Sequence, residues 1–555
     1  MKRKETEEGN LQESISKMSR TGENKDNIDK EKKYDRQLRL WGDHGQKELE
    51  NAKVCLINAS STGVEALKCL ILPGIGKFVI VDKQNVKEED LGNNFFLDID
   101  SLGKPRAECA CKLLQELNED VHGSFLTQDP GELVENDPEF YKEFTIVIAS
   151  DLNENDLLKL SDLLWRANIP LLICEVRGYI GYIRLVVKEH TVVEAHPDNS
   201  HEDLRLDMPF PGLVEYMNIM DLASMDKQDH SHTPYLVIIY KYLEKWKNEH
   251  GGCWPKNFKE KTAFREMISQ GVMKNDQGVE ELEENFDEAV KNVNNVLVNT
   301  KIPSHVNEIF NSHRCQHPSE PHLKFWILAR AVKEFHSNSG ALPLRGSIPD
   351  MFSDSARYIQ LQNVYKEQAT KDIECVHDIV EQCLLDMQLE SDFIKIEDTK
   401  LFCKNAYFLH AMSGHPLSNE LRHSMEGNSH KIGDVIGDNE DSLALLYLLL
   451  RSVHIFEEGN KRLPGSQDEC LEDDFEKLKA ISGELASEYH IAVGVKDDFI
   501  REMCRSGAAQ LHTTSAIIGG IAAHEVIKVV TKQFIPVNNA FIYNAIDETS
   551  LTFEL

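Results

Sequence analysis

The sequence predicts an α/β protein in which a parallel-rich sheet domain is interrupted by a large, mostly helical insertion. Three observations support this prediction: a strand–helix–strand unit near the start, helix-like patterns after about residue 190, and strand-like patterns again near the C-terminus. With 555 residues, 41% of them hydrophobic, the chain is long enough for about three to four domains with buried cores.

The strand–helix–strand unit begins soon after residue 50. Lys53–Ala59 is predicted to be a buried strand, Thr62–Leu72 a helix that ends before Pro73, and Lys77–Val81 a second buried strand. This unit implies adjacent parallel strands joined by a right-handed crossover. The pattern predicts further elements, namely a helix from Pro105 and strands at Thr145–Ala149, Pro170–Cys174 and Tyr182–Val187.

The later part of the chain sets the domain boundaries. Helical patterns dominate after residue 190, whereas strands return at Phe534–Asn544 and Ser550–Leu555, after a helix at Thr513–Lys532. We therefore expect a charged, disordered arm at residues 1–33. The sheet domain should occupy residues 34–190 and 491–555, and the helical insertion residues 191–490.

Composition excludes several classes of partner. Asp and Glu total 93 and Lys and Arg total 61, so the formal charge of −32 disfavours nucleic acid and anionic membranes as partners. The sequence has no run of 18 apolar residues, and its charged start does not resemble a secretory signal. The 12 cysteines are scattered without a C-x-x-C pair, which predicts a reduced, intracellular chain with no metal site.

The turn after the first predicted strand is the most informative segment. Nucleotide-binding domains of this kind place G-x-G-x-x-G here, with two glycines that let backbone N–H groups reach phosphate and a third for helix packing. The corresponding positions are Asn58, Ala59, Ser60, Ser61, Thr62 and Gly63. Since only the packing glycine remains, we expect a nucleotide-binding fold that no longer binds nucleotide. A different ligand held by the hydroxyls of Ser60 and Ser61 is the alternative, and Asp82 stands where a ribose-binding acid would lie.

Several motifs, in order, resemble those of the ubiquitin-like-modifier activating enzymes. They are KYDRQLRLWG (residues 33–42), the altered glycine turn, LGNNFFL (91–97), GKPRAE (103–108) and IGGIAAHEVIKVVTKQF (518–534). The resemblance covers roughly residues 34–555 and implies a Rossmann-like adenylation domain. Such enzymes adenylate a small modifier with ATP and magnesium and then capture it on a cysteine. In the heterodimeric members one subunit carries both reactions, and the other has a degenerate domain.

The residues of this chain agree with the degenerate subunit. Asn93 stands where active members have an arginine near phosphate, and Asp151 is followed by Leu152 rather than by a second magnesium-binding residue. Arg106 matches a phosphate-contacting position, although a salt bridge on the helix surface is the favoured role. None of the cysteines precedes a threonine as the thioester cysteine usually does, and Cys315, near two histidines, is expected to be an ordinary cysteine. The resemblance thus implies a pseudo-adenylation domain without its own cofactor.

Arg36 is the residue most strongly implicated in function by the resemblance. The family's equivalent arginine reaches across the subunit interface into the partner's ATP site, as a rigid bidentate cation suited to phosphate charge. Arg39 is the second choice, and a local salt bridge of Arg36 with Asp35 or Asp43 is the structural alternative. We expect Leu38, Leu40 and Trp41 to anchor the short helix that carries Arg36.

Two segments of the insertion resemble partner-contacting segments. The first, DHSHTPY, contains His232; a metal site there is disfavoured because its two histidines are two residues apart, whereas a capped turn before Pro234 stays open. The second carries a predicted aromatic anchor, Tyr358, although core packing of Phe352 and Ile359 is an alternative. Its residues are Asp350, Met351, Phe352, Ser353, Asp354, Ser355, Ala356, Arg357, Tyr358, Ile359, Gln360, Leu361, Gln362 and Asn363.

A pair of glycines, Gly519 and Gly520, lies within the helix predicted near the C-terminus. Each costs about 1 kcal/mol relative to alanine in a helix. Close approach of a neighbouring helix or sheet would offset that cost, so we expect this helix to lie in the core or at a dimer interface.

These inferences predict a non-catalytic regulatory subunit of a heterodimeric activating enzyme, found in cytoplasm or nucleus. Its partners would be the catalytic subunit, which binds ATP and magnesium, the ubiquitin-like modifier and, indirectly, a conjugating enzyme. The long insertion favours the neddylation branch of the family over sumoylation, whose insert is much shorter. A self-sufficient adenylating enzyme with an unusual phosphate turn and a Rossmann oxidoreductase are the alternatives.

Overall fold

The computed structural model describes residues 32–198, 202–274, 277, 282–421, 433–437 and 439–555. The chain divides into two compact units, one formed by Met1–His190 with Met412–Leu555 and the other by Thr191–Ala411. The predicted disordered arm lies outside the described residues, except that residues 32 and 33 belong to a helix. After the insertion the chain returns to the first unit at Met412, whereas the sequence predicted a return at residue 491.

An eight-stranded sheet forms the centre of the first unit. Its order is β10-β9-β6-β5-β4-β1-β2-β3, and β7 and β8 form a separate two-stranded sheet. The pairs β1–β2, β1–β4, β2–β3 and β4–β5 are parallel, and β5–β6, β6–β9 and β9–β10 are antiparallel. The predicted parallel-rich sheet completed by the C-terminus is therefore confirmed. The strands are β1 Lys53–Ile57, β2 Lys77–Val81, β3 His122–Leu126, β4 Ile146–Ser150, β5 Leu171–Arg177, β6 Ile180–Val186, β7 Glu189–Val192, β8 His410–Ser413, β9 Ala540–Asn544 and β10 Thr549–Phe553.

Helices cover both faces of this sheet and make up most of the second unit. Short 3₁₀ helices lie at Ile99–Ser101, Pro138–Glu143 and Asp468–Cys470. The α-helices are α1 32–51, α2 Ser61–Ile71, α3 Glu88–Leu91, α4 Arg106–Gln115, α5 Pro130–Asn136, α6 Glu154–Ala167, α7 Pro211–Ile219, α8 Lys227–Ser231, α9 Tyr235–Glu249, α10 Phe258–Ser269, α11 Glu284–Val296, α12 Ser304–Asn311, α13 His313–Gln316, α14 Leu323–Ser339, α15 Ser355–Asp386, α16 Ile396–Lys404, α17 Leu417–Leu421, α18 433–436, α19 Leu445–Asn460, α20 Leu471–Glu488, α21 Asp497–Ser506 and α22 His512–Thr531.

The central strands are buried on both faces because their side chains alternate between two cores. Val54 and Leu56 of β1 pack with α2 and α22, whereas Cys55 and Ile57 pack with the layer that contains α6. Both faces of a parallel sheet are normally covered in this way, which explains the continuous apolar runs in these strands.

Helix α22 is long and apolar enough to cross a membrane, but 61% of its most apolar stretch is buried inside the protein. Ile518, Ala522 and Val526 belong to the same core as β1 and α2. A Cβ on Gly519 would lie 2.7 Å from the Cβ of Glu65 and 2.8 Å from the Ala66 nitrogen, whereas one on Gly520 would meet nothing within 4 Å. Close helix approach therefore explains Gly519 only, and α22 is a core helix.

Packing explains why the chain returns to the first unit at Met412 rather than at residue 491. Helices α19, α20 and α21 contribute Leu448, Leu478 and Ile500 to a core that also contains Tyr182 of β6 and Ile542 of β9. These helices thus complete the sheet domain, although their sequence pattern resembles that of the insertion. The second unit is helical as expected, with cores built around α9 and α14.

We expect Gly519→Ala to lower the thermal unfolding midpoint of the purified chain, since overpacking at a rigid contact costs about 1–3 kcal/mol. Gly520→Ala is the matched control and should raise the midpoint slightly, because alanine is favoured over glycine in a helix by up to about 1 kcal/mol. Differential scanning calorimetry measures both. Equal effects of the two variants would contradict the close approach of α2 and α22.

Candidate functional site

The turn between β1 and α2 keeps the backbone of a glycine turn without the first two glycines. Asn58 adopts a positive φ of 63°, and asparagine is among the side chains that tolerate this conformation best. Its Nδ2 donates to the carbonyl oxygens of Ser150 and Asp151, at 3.0 and 3.1 Å. A Cβ on Gly63 would lie 2.9 Å from a Leu56 methyl group, so this glycine serves packing as predicted.

Three backbone N–H groups at this turn donate hydrogen bonds to side chains of the protein itself. The Ala59 N–H donates to Asp82 Oδ2 at 2.9 Å, and the Ser61 N–H donates to Gln510 Oε1 at 3.1 Å. The Gly63 N–H donates to Ser60 Oγ at 3.1 Å, so Ser60 caps the first turn of α2. An N-cap hydroxyl satisfies the same kind of donor that a phosphate oxygen would otherwise take.

The hydroxyls of the turn face the protein. Ser60 Oγ forms a hydrogen bond with Ser150 Oγ, and Ser61 Oγ donates to the Asn93 carbonyl oxygen at 2.7 Å. Both serines are buried. The alternative in which these hydroxyls bind another ligand therefore has no support from the geometry.

Asp82 brings negative charge to the turn. Its carboxylate is fully buried, accepts from the N–H groups of Ala59 and Gln84, and pairs with Arg106, whose Nε lies 2.6 Å from Asp82 Oδ2. Arg106 also contacts Asp90 at 3.2 Å. Arg106 therefore forms salt bridges as expected, but they are largely buried rather than on the helix surface, and this guanidinium neutralises carboxylates of its own chain.

Asp151 follows β4 at the carboxyl edge of the sheet, where its Oδ1 atom is shielded from solvent. Burial raises the pKa of this carboxyl, an effect only partly opposed by Arg177. Gln510 Nε2 donates to Asp151 Oδ2 while its Oε1 accepts from Ser61. One glutamine side chain therefore bridges the turn at Ser61 and the carboxyl group of Asp151.

A triphosphate does not fit the residues present at this edge. A separate small cavity, lined by Asp151, Glu175, Tyr182, Arg451 and His454 and by no residue of the turn, has a volume of about 40 Å³. His454 of α19 lies 2.9 Å from Glu175 Oε1. Three N–H groups of the turn already donate to side chains of the chain, and the buried Asp82 carboxylate places negative charge beside them. Both features act against binding of a phosphate group at the turn.

Arg36 lies on the exposed face of α1. It forms no hydrogen bond or ion pair with any residue that the structure describes, so neither proposed local salt bridge is present there. Arg39, one turn later, pairs with Asp35 at 3.0 Å. The side chain of Leu40 is 58% exposed and does not anchor the helix as expected, because it shares the outer face with Arg36; Tyr34, only 3% exposed, anchors it instead.

None of the observed contacts activates the thiol of Cys315. This residue is buried, and burial raises the pKa of its thiol to about 11. The rings of His313 and His317 contact each other, with centroids 4.7 Å apart. Since a reactive cysteine needs a thiolate near neutral pH, the expectation of an ordinary cysteine agrees with its surroundings.

The two segments predicted to contact a partner lie together in the second unit. A groove of about 730 Å³ is lined by His232 and Asp229 from the first segment and by Asp354, Arg357 and Gln360 from the second. The Asp354 N–H donates to the His232 carbonyl oxygen at 3.1 Å, and Arg357 pairs with both Asp229 and Asp354 at 2.9 Å. His230 instead points inward, 2.8 Å from Glu283, so the two histidines do not face a common site.

Individual residues of the second segment differ in accessibility. Phe352 and Ile359 are exposed, contrary to the core-packing alternative, whereas Tyr358 is half-buried against the core of this unit. Leu361 is fully buried in that core. Its assignment to the contact surface is therefore corrected, because its face of α15 turns towards the protein interior.

Sequence reasoning missed Gln510, the residue that closes the turn. It lies 449 residues from Ser61 in sequence and belongs to no recognisable motif, so only the fold reveals its role. It also missed Tyr34 and Asn118, which hold α1. The motif KYDRQLRLWG contained a signal for Tyr34, because a tyrosine can bury its ring while its hydroxyl finds a hydrogen-bond partner.

The doubly wound sheet and its filled turn define a class of protein: a Rossmann-type adenylation-like domain in which side chains of the chain itself bond to the phosphate turn. A comparison with protein families agrees with this fold. The family model described as "ThiF family" matches residues 34–555, and the chain belongs to this family.

Relatives of high similarity share one name, NEDD8-activating enzyme E1 regulatory subunit. The Xenopus laevis protein is 50% identical over 95% of this chain and 99% of its own length. The Drosophila melanogaster protein is 41% identical, covering 95% and 98%, and the Caenorhabditis elegans protein 34% identical, covering 95% and 99%. The family resemblance drawn from the motifs is thereby confirmed.

Asp151→Asn should stabilise the chain at neutral pH. Because burial raises the pKa of Asp151, the folded chain binds this proton more tightly than the unfolded chain, and the carboxyl costs stability as pH rises above roughly 4. The gain in unfolding midpoint should grow from acid to neutral pH, reaching about 2–6 °C. The exposed Asp100→Asn is the control and should show no such trend; destabilisation by Asp151→Asn at pH 7 would contradict the assignment.

Proposed function

We propose that this chain is the non-catalytic regulatory subunit of a heterodimeric enzyme that activates the ubiquitin-like modifier NEDD8. The observation that carries the proposal is the occupation of the turn N–H groups by Asp82, Gln510 and Ser60. A domain that keeps an adenylation fold but fills its own phosphate turn can contribute to adenylation only through another subunit. The names of the relatives supply the modifier and the word regulatory.

The proposal assigns the cofactors to the partner. ATP and magnesium bind the catalytic subunit, which also carries the thioester cysteine. The regulatory chain completes the architecture in which the modifier docks, and a conjugating enzyme receives the modifier from the partner. We place the complex in the cytoplasm, the nucleus or both.

Arg36 is the residue that we assign to the partner's ATP site. It is exposed and unpaired within the described part of the chain, in contrast to the buried and paired Arg106. Leu40 exposes its apolar side chain one turn along the same face, which fits a surface that another subunit covers. A guanidinium delivered across an interface would meet phosphate charge as it develops.

The groove of the second unit is the other proposed contact with the catalytic subunit. Its surroundings combine exposed Phe352 and Ile359 with the charged Asp229, Asp354 and Arg357. Mixed surfaces with aromatic side chains are typical of protein interfaces. His232 lies beside Phe352, with ring centroids 5.7 Å apart.

ATP–pyrophosphate exchange tests which subunit carries out adenylation. The reaction contains NEDD8, ATP and magnesium with the chain alone, the catalytic subunit alone, or both. We expect exchange only when the catalytic subunit is present and strong stimulation by this chain. Exchange by this chain alone would overturn the proposal in favour of a self-sufficient adenylating enzyme.

Arg36→Ala should slow adenylate formation by the heterodimer by about 10- to 1,000-fold, since a trans arginine stabilises charge on the phosphates. Subunit association, measured by gel filtration, should be unchanged. Arg39→Ala is the matched control, one helical turn away and paired with Asp35, and it should have little effect. Unchanged adenylation by the Arg36 variant would remove the trans role.

A further inference from the structure

We propose that Tyr34, Asn118 and Asp120 form a clamp that positions Arg36 by fixing the first turn of α1. The inference rests on the proposed role of Arg36 in the partner's ATP site. It assigns positioning residues for that reaction, none of which approaches the reacting atoms.

The clamp consists of hydrogen bonds between the start of α1 and the loop after α4. Asn118 Nδ2 donates to Tyr34 Oη at 3.1 Å, and Tyr34 Oη donates to Asp120 Oδ2 at 3.2 Å. Lys33 Nζ adds contacts to Asn118 Oδ1 at 2.6 Å and to Asp120 Oδ2 at 2.7 Å. Two consecutive residues of α1 therefore hold the same two residues of the loop.

The loop side of the clamp is rigid. Asn118 is buried and also donates to the Ile71 carbonyl oxygen at 2.9 Å, at the end of α2. Gly74 follows that helix with a φ of +90°, and a Cβ there would lie 2.7 Å from Tyr34 Oη. The phenol thus fits against backbone whose position is set by the sheet core.

A second attachment holds α1 further along. Gln533 Nε2 donates to the Trp41 carbonyl oxygen at 2.9 Å, and Gln46 Nε2 donates to the Pro73 carbonyl oxygen at 3.0 Å. Trp41 follows Tyr34 by seven residues, about two helical turns, and therefore lies on the same face. Arg36 lies between the two attachments.

The helix geometry explains how anchoring of Tyr34 sets the direction in which Arg36 points. Residues 34 and 36 are about 200° apart around the helix axis, so a Tyr34 ring fixed inward directs Arg36 outward. Helix ends fray unless they are held, and Arg36 lies in the first described turns of α1. Without the clamp its Cα would sample several positions, and a catalytic contact across an interface tolerates little displacement.

The residues on the exposed face of α1 agree with a positioning role for the clamp. Arg36 and Leu40 are four residues apart and share the outer face, while Tyr34 and Trp41 pack inward. The inward contacts hold α1 both at Tyr34 and at Trp41. They determine the orientation of the one unpaired arginine of the first turns of α1 among the described residues.

The test is a double-mutant cycle on the assembled heterodimer. Tyr34→Phe removes only the hydroxyl and keeps the ring, and Asn118→Ser removes the amide. Adenylate formation is measured with saturating ATP and modifier, for each variant alone and combined with Arg36→Ala. Tyr543→Phe in β9 is the control, because this hydroxyl has no hydrogen-bond partner among the described residues.

We expect Tyr34→Phe and Asn118→Ser each to lower kcat for adenylation about five- to tenfold, with subunit association and the KM for ATP little changed. In the Arg36→Ala background the same substitutions should have no further effect, because there is no guanidinium left to position. The Tyr543 variant should resemble the wild type.

The possible failures are distinguishable. If Arg36→Ala lowers adenylation but the clamp variants do not, or lower it equally in both backgrounds, the clamp is structural only and the inference is overturned. If Arg36→Ala itself has no effect, the trans role fails and the inference falls with it. Loss of subunit association in Tyr34→Phe would also overturn it.

Discussion

A backbone N–H group makes one full-strength hydrogen bond at a time. In this molecule that limit decides which groups the turn between β1 and α2 can bind. At the start of α2 the acceptors are a carboxylate, an amide and a hydroxyl of the same chain. Phosphate binding would have to displace them and place negative charge near Asp82. Helix packing is unaffected, because Gly63 serves it separately. Helix packing and the hydrogen bonds of the turn thus depend on different residues.

The proposed function depends on surface features of the chain. The exposed features of the first unit include Arg36 and Leu40 on one face of α1, and the second unit has a groove in which two distant segments meet. These features fit the proposed role of a subunit that completes another. In the proposed function, the clamp at Tyr34 connects the rigid sheet core to Arg36, the residue assigned to the partner's ATP site.

The sequence predicted the sheet, the filled turn, the helical insertion and the family, because these depend on local periodicity and on spaced motifs. It did not predict contacts between distant segments. Gln510 meets Ser61 across 449 residues, and α19–α21 join the sheet core although their patterns are helical. The strand β3 was missed because it lies at the sheet edge with mostly exposed side chains. Leu40 and Leu361 were misassigned because apolar character does not indicate which way a side chain faces.

The most direct measurement of the central claim is the crystal structure of the partner-free chain soaked with ATP and magnesium, paired with calorimetric titration of the same components. We expect no heat of binding and an unchanged turn, with Gln510 still between Ser61 and Asp151. A triphosphate bound at Asn58–Gly63, with Gln510 displaced, would contradict it.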